Sequence, residues 1–138
     1  MKILIIPTLN ERKNILNLFK KIKNFNYKLD FLFIDDNSTD GTREQILKFC
    51  KKNKNVSYIF RPRKMGIGSA HKDGLKYAYK KKYKIILTMD ADGTHDPKYI
   101  KYLLKFSKDF DLISTNRFIK KNSLIEWPIQ RRFLTKVR

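Results

Sequence analysis

Short β-rich runs alternate along this chain with stretches of helical periodicity, and that alternation constrains the fold more than any other feature. A strand, a helix and a further strand close onto a parallel sheet, because each helix carries the chain back to the edge where the last strand began. Strands are expected at residues 3–6, 31–34, 56–60, 85–89 and 111–114. Between the first two, Ile15, Leu18, Phe19, Ile22 and Phe25 recur at helical spacing and form a stripe to pack on the sheet. A second helix is expected to open at Thr42, with Gln45 completing a capping box, and to turn Ile46, Leu47 and Cys50 inward. The third runs over 69–80. The fourth takes Asp96 as its N-cap and Pro97 as its first residue, and continues through Ile100, Leu103 and Leu104. The expected class is α/β, a largely parallel central sheet flanked by helices. One domain suits 138 residues, of which 41% are hydrophobic and 13% aromatic, enough to build a core.

In an open parallel sheet the ligand crevice lies at the carboxyl ends of the strands. Those positions are polar here. The first strand leads into Pro7, Thr8, Asn10 and Glu11; the second into Asp35, Asp36, Asn37, Ser38 and Asp40; the fourth into Asp90 and Asp92; the fifth into Asn116 and Arg117. Acidic groups at three strand ends repel one another unless a cation sits among them. Residues i and i+2 of an extended segment point to the same side, so Asp90 and Asp92 bring two carboxylates together. Such a pair suits a hard divalent cation, Mg²⁺ or Mn²⁺, that takes its other ligands from water and substrate phosphate. The competing reading is that both aspartates merely finish a strand, although Asp96 already fills the capping role at Pro97.

Asp36 follows a buried apolar run and faces the crevice, where a carboxylate accepts hydrogen bonds from a nucleobase or ribose. Asp40, Gly41 and Thr42 read as turn and cap residues. His95, beside a helix start, reads as a packing or hydrogen-bonding residue or else as a ligand or base, and His71 as structural. In RPRKMGIGSAHKDG the Walker spacing is absent and a GxGxxG pattern fails at His71. Gly66 and Gly68 are expected to let backbone approach the crevice, and Arg61, Arg63 and Lys64 to be solvated charge.

A formal charge of +19, from 32 Lys plus Arg against 13 Asp plus Glu, favours a polyanionic partner, with a Lys-heavy solvated surface as the alternative for much of the excess. A nucleic-acid reader would converge basic and aromatic residues on its binding face. Here the crevice positions are acidic, so no nucleic acid is expected. The single cysteine, Cys50, makes neither an internal disulfide nor a thiolate metal site, which fits a reducing compartment. No apolar run reaches spanning length. The stretch 118–138 is basic and carries Trp127 and Pro128, a composition that suits an anionic membrane surface presenting lipid phosphate, or an ordinary exposed helix.

In order, PTLNE, FIDDNSTDGT, RPRKMGIGSAHKDG, MDADGTHDP, STNRF and WPIQRR resemble the inverting nucleotide-sugar glycosyltransferases of family 2, most closely the polyprenyl (dolichyl) phosphate mannose synthases. The resemblance implies a GT-A type, Rossmann-like domain, with a nucleotide-sugar-binding half over 1–97 and the start of an acceptor half over 98–138. Relatives continue past residue 138, so the domain is expected to be incomplete. By the same resemblance Pro7, Leu9, Glu11, Ile34, Asp36, Asp90, Ala91 and Asp92 line a GDP-mannose site, with Leu9 standing where relatives often have an aromatic residue. Asp90, Asp92 and Thr94 would surround Mg²⁺ or Mn²⁺. Arg117 and Arg131 would hold phosphate, and Asp92, Arg117 and Arg131 form the implied catalytic set. The implied reaction is one in-line displacement at the anomeric carbon, with inversion. A polyprenyl phosphate acceptor is already ionised at neutral pH, a phosphomonoester's second pKa being about 6, so no general base is required. The implied location is cytoplasmic, peripheral at the cytoplasmic face of a membrane. A family relative using UDP-glucose or UDP-N-acetylglucosamine is the alternative.

Overall fold

The computed structural model describes residues 1–115. Four strands, β1 (Lys2–Thr8), β2 (Asp30–Asp35), β3 (Val56–Phe60) and β4 (Ile85–Thr88), alternate with helices α1 (Arg12–Asn24), α2 (Thr42–Lys52) and α3 (Ile67–Lys80). A 3-10 turn at Pro97–Tyr99 then runs into α4 (Ile100–Phe106). The sheet has the order β3-β2-β1-β4 and every ladder is parallel, with Ile5 opposite Leu32 on one side and Thr88 on the other. Strand β1 is thus interior, and Leu4, Ile5 and Ile6 are fully buried. A strand covered on both faces reads as a continuous apolar run, as KILII does.

The two faces of the sheet separate by the alternation of β2. Phe31 and Phe33 pack with Phe19 of α1, which stacks at 4.4 Å on Phe49 of α2. Ile3, Ile5, Leu32 and Ile34 form the other layer, against Ala70 and Ala78 of α3. Helix α3 lies close because Gly74 presents only hydrogen: a Cβ there would sit 2.7 Å from Ile5 Cγ2 and 2.8 Å from Ile34 Cδ1.

Four local expectations need correction. Helix α2 buries Ile46 and Phe49, while Leu47 is 37% exposed and Cys50 half-buried, because 42, 46 and 49 share one face and Leu47 lies a hundred-degree step round from Ile46. Phe25 lies beyond the helical residues of α1, is exposed, and stacks on Tyr27. Helix α3 begins at Ile67, two residues early, because Gly66 with φ +89° takes the strained position just before it. Residues 111–114 form no strand among the described residues. Leu112 is 89% exposed there, and a four-residue run has no hydrogen-bonding reason to stay extended without a neighbouring strand. Asp96 does cap its helix, accepting from Lys98 N–H at 2.9 Å with Pro97 following.

The chain divides into two compact units, Met1–Tyr102 and Leu103–Arg138. The first holds the sheet and α1–α3; in the second, Ser107 N–H bonds to the Leu103 carbonyl and closes the last turn of α4. Among the described residues no helix is long and apolar enough to cross a membrane.

Candidate functional site

A cleft of about 360 Å³ opens at the carboxyl end of the sheet. Its walls are Pro7, Thr8, Leu9 and Glu11 after β1, Asp36 after β2, Lys64, Gly66, Ile67 and Ala70 from the loop and start of α3, and Asp90, Ala91 and Asp92 after β4. Pro7, Leu9, Glu11, Asp36, Asp90, Ala91 and Asp92 therefore come together at one cleft. Ile34 departs from this set: its side chain is fully buried in the α3 layer, because an even position of β2 points into that core. Arg117 and Arg131 lie outside the described residues, as do Asn116, Trp127 and Pro128.

The loops after β1 and β2 are laced together by side chain to backbone hydrogen bonds. Asn10 N–H donates to Ser38 Oγ at 2.8 Å, and Thr39 N–H donates back to Asn10 Oδ1 at 2.9 Å. Glu11 N–H donates to Thr42 Oγ1 at 2.9 Å. Asn10 and Asn37 take positive φ, 57° and 70°, a conformation asparagine tolerates better than most residues. The expected capping box at Thr42 is not what forms. The N-cap position is Gly41, with φ +91°, and the Thr42 hydroxyl is spent between Glu11 and Asp40, whose Oδ1 also accepts Thr42 N–H at 3.0 Å. Asp40 Oδ2 also accepts Arg12 N–H at 3.1 Å. Burial opposes its ionisation, but these hydrogen bonds, led by the Thr42 hydroxyl, outweigh burial and hold the Asp40 carboxyl below its ordinary range.

The acidic pair after β2 splits between two basic partners. Asp35 is fully buried, 2.7 Å from Arg43 Nε, and accepts from Thr8 Oγ1 and Ser38 N–H. Asp36 sits in the cleft wall, where its Oδ1 accepts from Arg61 Nη1 at 2.9 Å and Met65 N–H at 2.8 Å, and its Oδ2 from Gly66 N–H at 2.8 Å. Arg61 is 3% exposed, so it is not the solvated charge expected. Arg63 and Lys64 are exposed, yet Lys64 lines the cleft. A signal for both was available: Arg61 directly follows β3, and the strand-end argument applied to β1, β2 and β4 applies there equally.

After β4 the chain turns at Gly93, φ +79°, and Asp92 Oδ1 accepts both Thr94 N–H at 2.9 Å and Thr94 Oγ1 at 2.7 Å. Asp90 N–H donates to His95 Nδ1 at 3.1 Å. That leaves the ring proton of a neutral His95 on Nε2, 3.8 Å from Asp90 Oδ2. His95 thus braces the Asp90 loop. Among the described residues no group of three or more His, Cys, Asp and Glu side chains could hold a metal ion by itself. Two carboxylates after one strand nonetheless fit Mg²⁺ or Mn²⁺, which needs only one or two protein carboxylates when water and substrate phosphate supply the rest.

Comparison with known proteins follows the same lines. The family model described as Glycosyl transferase family 2 matches residues 3–137. The chain is 29% identical over 131 residues to an undecaprenyl-phosphate mannosyltransferase of Micrococcus luteus, covering 95% of this chain and 54% of that protein. It is 34% identical over 137 residues to a dolichol-phosphate mannosyltransferase of Pyrococcus furiosus, covering 96% and 37% respectively. The chain spans about half the length, or less, of these curated relatives. A mannosyltransferase of Pyrobaculum calidifontis, solved in complex with GDP-Man and Mn²⁺, shares the fold with a TM-score of 0.61 at 24% identity, over 74% of this chain and 32% of that one.

Proposed function

Since the chain belongs to glycosyltransferase family 2, we propose that its cleft binds the donor in an inverting transfer of mannose from GDP-mannose to a polyprenyl phosphate. The observation that carries this reading is the convergence of Asp90 and Asp92 with Glu11, Asp36 and Lys64 on one cleft at the strand ends. The names of the curated relatives support a mannosyl donor and a prenyl phosphate acceptor, and the Pyrobaculum complex supports the nucleotide and the ion.

In this reading Asp90 and Asp92 hold Mg²⁺ or Mn²⁺, with Thr94 at the same turn. The ion, when bound, supplies positive charge to the departing diphosphate. The chain's own groups do the positioning. The Thr94 turn orients Asp92, and the His95 ring fixes the path of Asp90. Asp36 and the backbone around Pro7 and Leu9 face the nucleoside, and Lys64 adds a cation to a wall whose other charged residues are carboxylates. Arg117 and Arg131 take phosphate charge as the bond to the anomeric carbon breaks. No side chain has to remove a proton from the acceptor, because a phosphomonoester is already anionic. A prenyl phosphate is confined to a bilayer, so the enzyme works peripherally at its cytoplasmic face, with the basic stretch 118–138 against anionic lipid.

Calorimetric titration with GDP-mannose, UDP-glucose and UDP-N-acetylglucosamine in the presence of Mn²⁺ tests the proposal. GDP-mannose should bind most tightly, and Asp92→Ala should weaken it by about tenfold or more. Tighter binding of either UDP sugar moves the chain to another donor class. Binding indifferent to both Mn²⁺ and Asp92 removes the reading altogether.

A further inference from the structure

Arg61 is the first residue after β3, and its side chain is 2% exposed. A guanidinium stripped of water needs its charge and its donors met inside the protein. Three segments of chain meet its charge and its Nη donors, while Nε has an ionic neighbour but no hydrogen-bond partner among the described residues. Nη1 donates to Asp36 Oδ1 at 2.9 Å and to the Gly66 carbonyl at 3.1 Å; Nη2 donates to the Ser69 hydroxyl; Nε lies 3.4 Å from Asp73 Oδ2 on α3. Its backbone is held as well, the N–H donating to the Asp35 carbonyl at 3.0 Å and the carbonyl accepting from Arg43 Nη2 at 2.6 Å.

Its partner Asp36 is a cleft residue whose carboxylate takes three donors, two on Oδ1 and one on Oδ2. A carboxylate offers about four acceptor directions, so one remains on Oδ2 for a ligand. A buried ion pair is a poor means of gaining stability over packed apolar side chains, because desolvation offsets most of the attraction. What such a pair does supply here is geometry. Residues 62–66 are exposed along their whole length, yet Met65 and Gly66 are tied by their N–H groups to the carboxylate that Arg61 holds.

We propose that Arg61 is a positioning residue for the donor, acting through Asp36 and through the 62–66 loop that brings Lys64 and Gly66 into the cleft wall. This rests on the donor reading above. Arg61 fixes the orientation of the Asp36 carboxylate and sets the loop before a ligand arrives, so that binding does not have to order either one. Lysine cannot reproduce the function in full, since its single ammonium lacks the planar fork that spans Asp36, Gly66, Ser69 and Asp73 at once.

The test combines GDP titration in Mn²⁺ with amide hydrogen exchange of the ligand-free protein, on Arg61→Met, Arg61→Lys, Asp36→Asn and the Arg61→Met/Asp36→Asn double variant. Arg61→Met should lower GDP affinity by about tenfold or more, the range expected when a charged hydrogen-bond partner is withdrawn. The Met65 and Gly66 amides should exchange faster in it. Arg61→Lys should fall between Arg61→Met and wild type. The double variant should bind no more weakly than the weaker single one, because both changes remove one interaction. A folded Arg61→Met with wild-type affinity overturns the proposal, as do losses that multiply in the double variant. If Arg61→Met does not fold, Arg61→Lys decides: wild-type affinity overturns the proposal, and reduced affinity with faster exchange at both amides supports it. Wild-type protein that fails to bind GDP sinks the donor reading and this inference together, whereas wild-type binding that ignores Arg61 sinks the inference alone.

Discussion

Asp40 holds the starts of two helices at once, accepting Arg12 N–H at the head of α1 and Thr42 N–H at the head of α2. Its carboxyl titrates below the ordinary 3.8, since burial is outweighed by the hydrogen bonds it accepts from Thr42 and Arg12. A group whose folded pKa is depressed contributes stability above its unfolded pKa and loses it as pH falls through the lower folded value. Asp40→Ala should therefore lower stability by about 1–2 kcal/mol at pH 7, the scale of losing a charged acceptor of hydrogen bonds at two helix starts. It should also flatten the decline of Tm between about pH 5 and 2, the range in which depressed carboxylates regain protons. Thermal unfolding followed by circular dichroism reads both, and equal acid slopes in the two proteins would contradict the assignment. The type of residue at 40–42 was legible as turn and cap chemistry. Which helix each group serves was not, because the bonds join positions 28 to 31 residues apart and local spacing carries no record of them.

Helix α3 owes its approach to the sheet to Gly74. Alanine there gains about 1 kcal/mol of helix propensity. Against this, its methyl would fall under 3.0 Å from both Ile5 and Ile34, side chains fixed in a packed layer. Overpacking of that kind costs about 1–3 kcal/mol and outweighs the propensity gain, so Gly74→Ala should lower stability, by up to about 2 kcal/mol in denaturant unfolding. A variant more stable than wild type would show that the layer yields. Elements buried on both sides, β1 and β2, were plain from their unbroken apolar runs. So were the α1 stripe from Ile15 to Ile22, though not its extension to Phe25, and the cap at Asp96. The inward face of α2 was misjudged by one step because Leu47 and Phe49 are equally apolar, and only the position of Phe19 decides which is covered. The cleft walls after β1, β2 and β4 were read from polarity at strand ends. Arg61 and Lys64 escaped because in a chain with 32 Lys plus Arg one more cation looks like surface.

Negative charge in this strongly basic protein is allocated rather than scattered. Glu11, Asp36, Asp40, Asp90, Asp92 and Asp96 all follow strand ends, and four of them, Glu11, Asp36, Asp90 and Asp92, line the cleft. Lys64 is a single cation against four carboxylates in the cleft wall, so an anionic donor needs further positive charge there, which is where the proposed ion has its place. The strand order adds a dimension of time. Strand β1 pairs with β2 and β2 with β3, each its immediate successor, but β4 must return past both to β1, joining Ile3 to Ile86. Loop closure over that longer stretch costs about 1 kcal/mol more than the β1–β2 closure, each doubling of length adding about 0.6. Docking of β4 should accordingly be the late step of assembly and its release the early step of unfolding. In native-state hydrogen exchange the Met89 amide, bonded to the Ile5 carbonyl, should open at lower free energy than the amides of Leu4 and Ile6; equal values would place all four strands in one cooperative unit. Asp90 and Asp92 arrive with β4, so under the proposed donor reading a nascent chain would complete the walls from β1 and β2 while still lacking the proposed ion site. Capture of Mn²⁺ would then mark the moment at which the sheet has closed.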